Sequence, residues 1–169
     1  MTRGIAGAFS LASKQRSACP RNGGEEEGED QHVLLLNLTL APGGLLFAIG
    51  TRYSSNSEEV VCFDARTLEV RRRFGRGLFN APGVLGMAAG GNELFVFDQG
   101  SVSIKVFSLA GSLLRSFGLG DCVHPVELHH FDGRLYLMDS DENRENARII
   151  VLTLEGEKPP DYKDDGEEH

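Results

Sequence analysis

Residues 84–118, VLGMAAGGNELFVFDQGSVSIKVFSLAGSLLRSFG, hold four short runs of strand-forming residues with a turn signal after each. Val84–Ala88 comes first. Gly90-Gly91-Asn92 turns the chain into Glu93–Asp98, Ser103–Ser108 follows, and Ala110-Gly111 leads into Leu113–Phe117. β-Branched and aromatic residues crowd these runs, and no segment sustains a 3.6-residue apolar period with caps, so helical architectures are excluded. Leu94-Phe95-Val96-Phe97 is apolar without alternation, the pattern of a strand covered on both faces.

The same plan recurs on both sides. Upstream it reads Val33–Leu40, a Pro42-Gly43-Gly44 turn, Leu45–Ile49, Val60–Asp64 and Val70–Gly75. Downstream it reads Val126–His130, an Asp132-Gly133 turn, Leu135–Asp139 and Ile149–Thr153. Phe63, Phe107 and Leu152 are 44 and 45 residues apart, and Phe74-Gly75 precedes Phe117-Gly118 by 43. A period in the low forties with four short strands per unit is that of a β-propeller blade. The expected fold is all-β: about three blades of four antiparallel strands, near residues 32–75, 76–118 and 119–157. A leader over 1–31 and an acidic tail over 158–169 are too poor in large hydrophobes to offset their ordering entropy and are expected to be disordered.

Phe79-Asn80-Ala81-Pro82-Gly83-Val84, Asn92–Asp98, Ile104-Lys105-Val106-Phe107 and Gly111–Gly118 together resemble an NHL repeat. The third unit shares the pattern through His124-Pro125-Val126, Gly133–Asp139 and Arg148–Val151; the first is more degenerate and has no Asp after Ile49. The resemblance covers roughly residues 33–156, and Val61–Thr67 would also suit a YVTN-type blade. It implies that Asp98 and Asp139, with Gly75 and Gly118, are repeat-structural residues, the carboxylates accepting backbone N–H groups in the turn after the second strand. It also implies a ring of about six blades, more than this chain supplies. Lys158-Pro159-Pro160 stands where the third unit needs an outer strand, and proline removes ladder donors. Three resolutions follow: a piece of a longer product, which is favoured; two chains completing one ring as a homodimer; or an open arc.

Charge narrows the partners. The net charge is −8, and residues 32–157 carry eleven Lys/Arg against fifteen Asp/Glu, which opposes binding to phosphate backbones. The exception is a basic patch of Arg71, Arg72, Arg73 and Arg76, which reads first as a protected strand edge and second as an RNA site. Cys19, Cys62 and Cys122 give an odd count with no CxxC spacing, so neither a disulfide framework nor a zinc site is expected. No run is long enough for a transmembrane helix. The leader has Arg3, Lys14, Arg16 and Arg21 before its first acid, Glu25, a composition that would also suit a transit peptide. An intracellular location is favoured, cytoplasmic or organellar.

Candidate chemistry is sparse. His124, His129 and His130 form the only histidine cluster, and adjacent His129 and His130 point to opposite faces of a strand, so they cannot readily share one metal. Asp139-Ser140-Asp141-Glu142-Asn143 lacks the glycine and terminal glutamate of a calcium loop. No catalytic residue, metal ligand or cofactor is assigned. The leading expectation is a noncatalytic module binding a protein or peptide through rim loops, with Tyr53, Asn56, Asp141, Asn143 and Arg144 as contact residues. The alternatives are part of a metal-dependent propeller hydrolase or lyase, and an RNA-binding NHL-type domain.

Overall fold

A computed structural model describes residues 33–52, 57–80, 83–120, 122, 124–140 and 146–160. Eleven strands form three antiparallel sheets. The first sheet runs in the order β1 (Val33–Ala41), β2 (Leu45–Arg52), β3 (Ser57–Asp64), β4 (Val70–Phe74). The second runs β5 (Val84–Gly90), β6 (Glu93–Asp98), β7 (Ser103–Ser108), β8 (Leu113–Gly118). The third holds β9 (His124–Phe131), β10 (Arg134–Ser140) and β11 (Ala147–Thr153), with no fourth strand among the described residues. Each sheet is a meander in which sequence neighbours pair, the arrangement of a propeller blade. The first strands of the three blades lie side by side, with β5 between β1 and β9.

Strand alternation splits each blade into two apolar faces, and the repeat lets them be matched position by position. On the second blade, Leu94, Val96 and Phe107 face backward and pack with Phe47, Ile49, Val60 and Cys62 of the first. Phe95, Phe97, Ile104 and Val106 face forward and pack with Leu135, Leu137 and Leu152 of the third. The forward, or leading, set of each blade therefore meets the backward, or trailing, set of the next. Phe74, Phe79 and Phe107 close the first interface with tilted ring contacts, centroids 5.3 and 6.1 Å apart. The inner strands approach closely at the second. A β-carbon on Gly86 would lie 2.9 Å from the Leu128 backbone nitrogen, and one on Gly90 would lie 2.5 Å from the His130 ring.

Two details differ from the sequence expectation. β9 begins at His124, before Pro125, so this proline lies within the inner strand. It is tolerated because it stands opposite Asp139 where the register shifts and the ladder is already interrupted. The chain after β11 does not simply run off into a tail. The Thr153 N–H donates to the Glu157 carbonyl, Gly156 sits against the Phe117 ring of the second blade, and Pro159 is buried. The leader (1–31) and the tail from 161 lie outside the described residues.

Candidate functional site: the loop-bearing rim

Because each blade is a meander, its connections sort onto two rims. Links between first and second strands, and between third and fourth, leave on one rim. Links between second and third strands, and from one blade to the next, leave on the other. The first rim is closed by tight turns whose backbone needs positive φ: Gly43 (79°), Gly91 (59°), Gly111 (100°) and the Asp132-Gly133 pair (48° and 72°). A depression of about 310 Å³ on this rim is lined by Gly43, Gly44, Asp64 and Arg66. The second rim carries the links between β2 and β3, β4 and β5, β6 and β7, β8 and β9, and β10 and β11, and the longest two connections, β4 to β5 and β10 to β11, are among them. Tyr53, Asn56, Asp141, Asn143 and Arg144 all belong to these loops by sequence and lie outside the described residues.

Buried carboxylates anchor the loop-bearing rim from below. Asp98, fully buried, accepts the Asn80 N–H at 3.1 Å and the Ser101 hydroxyl at 2.7 Å, and pairs with Lys105. Asp139, also fully buried, accepts the His124 N–H at 2.8 Å and both Nε and Nη2 of Arg148, at 3.0 and 2.9 Å. The two sites share a plan: a second-strand carboxylate fixes the chain leading into the same blade's inner strand and takes a cation from the third strand. Backbone donors to the two carboxylates come from 18 and 15 residues upstream. A cation in the adjacent strand is needed because a carboxylate buried without one is costly.

The first blade has Gly50 at this position. Opposite it in register is Glu59, buried, whose carboxylate takes Arg73 Nη1 at 2.7 Å and Arg76 Nε at 3.6 Å. Arg71 pairs with Asp64, which also accepts the N–H groups of Arg66 and Thr67. These bonds, with the Arg71 guanidinium first, hold the Asp64 carboxyl at about 2. Arg72 lies beside Cys62, and burial pushes that thiol up despite the arginine, as befits a core residue. Three of the four patch arginines are therefore engaged by acids of their own blade.

Glu58 crosses between blades: its Oε2 accepts the Val84 N–H at 2.5 Å. Burial pushes its carboxyl up, the Val84 bond opposes this, and the nearby Asp98 charge adds to it. Arg115 ties the second blade to the third. It is bidentate to Glu93 at 2.5 and 2.9 Å and donates to the Leu154 carbonyl at 3.0 Å, and the arginine holds the Glu93 carboxyl down. Neither Glu58 nor Arg115 carried a signal in the sequence, since nothing local marks a bond to another blade.

Gly75 has φ 80° and a β-carbon there would lie 2.9 Å from the Phe79 ring, whereas Gly118 ends β8 with open space around it. His129 is solvent-exposed beside Glu127, and His130 lies on the opposite face, over Gly90. Among the described residues no three His, Cys, Asp or Glu side chains come together as metal ligands. No described helix is long and apolar enough to cross a membrane.

No protein-family model matches the chain, and no curated protein matches it. Solved structures do. One is a chain from the crystal structure of a nidogen/laminin complex, with a TM-score of 0.59 and 17% sequence identity over 74% of this chain. This chain spans 46% of that one, just under half its length. At so low an identity the likeness establishes the fold: an all-β, propeller-like stack of antiparallel blades.

Proposed function

We propose that the chain is a noncatalytic interaction module that takes a protein or peptide on its loop-bearing rim. The observation that carries this reading is the asymmetry of the two rims: one is closed mostly by tight glycine turns, and the other carries the two longest connections, β4 to β5 and β10 to β11, above buried, ion-paired carboxylates. Variable loops on a rigid scaffold are where binding residues concentrate. Tyr53, Asn56, Asp141, Asn143 and Arg144 are the contact residues of this reading. The similar solved chain comes from a complex of nidogen with laminin, which agrees with a protein partner. The net charge of −8 and the pairing of Arg71, Arg73 and Arg76 with acids favour a protein over a nucleic acid.

A photo-crosslinking amino acid placed at Ser55 or Asn143 is expected to capture the same partner in cells, while one at Arg66, on the opposite rim, captures none of it. Equal capture from both rims would overturn the reading.

A further inference from the structure

We propose that the leader docks on the trailing face of the first blade, laying its apolar stretch, with Ile5, Phe9 and Leu11, over Ala48, Val61 and Phe63. The repeat register identifies that face. Leu46, Ala48, Val61 and Phe63 correspond to Leu94, Val96, Lys105 and Phe107 of the second blade, because both sets share the same cross-strand pairs. In the second blade the apolar members of this set are buried against the first. Among the described residues no strand lies beyond the first blade to do the same for it.

The face is covered all the same. Ala48 and Val61 are 0% exposed, Phe63 is 7% exposed, and the charged Glu59 beside them is buried as well. The third blade's leading face gives the contrast: Ile149 is 59% exposed there, and Tyr136 and Met138 are half-buried. Side chains on one face of a sheet stand side by side, so complete burial at the centre of a face takes atoms above it. Leu35 and Leu46 pack against Ala48, Val61 and Phe63 from within the same sheet. The Arg73 guanidinium, opposite Val61 in register, is drawn along the sheet to Glu59.

The cover has to come from this chain, and position narrows it to one segment. Residues 81–82, 121, 123 and 141–145 belong to connections that lead into or lie within the second and third blades, and 161–169 follow the third. The leader enters β1 at Val33, opposite Arg52, at the loop-bearing end of the first blade. Leu40, near the other rim on the same face, is 68% exposed, so the cover lies toward the end where the leader enters. The β2–β3 loop, 53–56, starts equally near, but Tyr53 is its one large side chain with apolar surface, against Ile5, Phe9 and Leu11 in the leader. Residues 13–32, at up to about 3.3 Å each, are ample chain to carry that stretch to any part of the face. Docked there, the leader withholds an apolar face from other proteins.

A nitroxide on Ser13→Cys, in a full chain carrying Cys19→Ser and Cys122→Ser, is expected to broaden the methyl resonances of Ala48 and Val61 and to leave those of Ile149 sharp. The remaining thiol, Cys62, is buried and escapes the label. Phe9→Asp with Leu11→Asp in the same chain should abolish that broadening and raise anilinonaphthalene sulfonate fluorescence severalfold, whereas Tyr53→Ala should change neither. Broadening at Ile149 equal to that at Val61, or none at Ala48 and Val61, would overturn the proposal. So would a dye response to Tyr53→Ala and none to the paired aspartates, since the short loop would then be the cover.

Discussion

The second and third blades are built to one pattern, yet only the second is covered on both faces. Phe95 and Phe97 lie under the third blade, while their counterparts Tyr136 and Met138 are only half-buried. The buried acids differ in the same direction. The cation paired with Asp98 is Lys105, 12% exposed, whereas the cation paired with Asp139 is Arg148, 54% exposed. The repeat sets which residues occupy a position; the neighbouring blade sets what each one is worth.

The sharpest way to break that comparison is to remove the acids in turn. Asp98→Ala strands a buried lysine and the Asn80 N–H, and should cost about 3–5 kcal/mol in urea unfolding. Asp139→Ala leaves a solvent-accessible arginine and should cost clearly less. Equal losses would show that neighbour cover does not matter. Truncating the matched apolar pair comes next: Phe97→Ala should cost about 3–4 kcal/mol, and Met138→Ala about half of that or less. A smaller contrast separates two glycines. Gly86→Ala forces a β-carbon onto the Leu128 backbone and should cost about 1–3 kcal/mol, whereas Gly118→Ala should change stability by about 0.5 kcal/mol at most.

The smallest effects are in pH. The folded carboxyl of Glu58 is raised above 4.5, so the native state binds its proton more tightly than the unfolded chain does. Its contribution to stability is present at low pH and falls as pH rises through that raised value, and Glu58→Gln should remove the fall. Asp64 has the opposite sign. Its folded carboxyl titrates at about 2 against 3.8 unfolded, so its contribution is full above 3.8 and is lost as pH falls through about 2. Urea midpoints measured across pH for wild type, Glu58→Gln and Asp64→Asn test both signs.

Much of the blade was legible in the residues. Leu94-Phe95-Val96-Phe97 announced a doubly covered strand, and the spacing of Phe63, Phe107 and Leu152 announced the period, because burial and turn chemistry act locally. The donors to Asp98 and Asp139 were not legible, because Asn80 and His124 meet those acids only after a whole hairpin has folded. Nor was the role of Arg73, whose acid partner Glu59 stands in for an aspartate that Gly50 replaces. Alternation along a strand reveals two faces but not which blade each one meets; that took Gly90 against His130 and Gly86 against Leu128. The rim loops yielded least, since polar loop residues carry no periodicity to read.

Hydrogen–deuterium exchange resolved to single amides tests most directly whether three blades stack with the second in the middle. Slowest exchange is predicted for Leu94–Phe97 and Ile104–Phe107, whose strands are paired on both edges and packed on both faces. Faster exchange is predicted for Ile150–Leu152 in the third blade. Protection that is uniform across the three sheets, or weakest in the second, would contradict the stack.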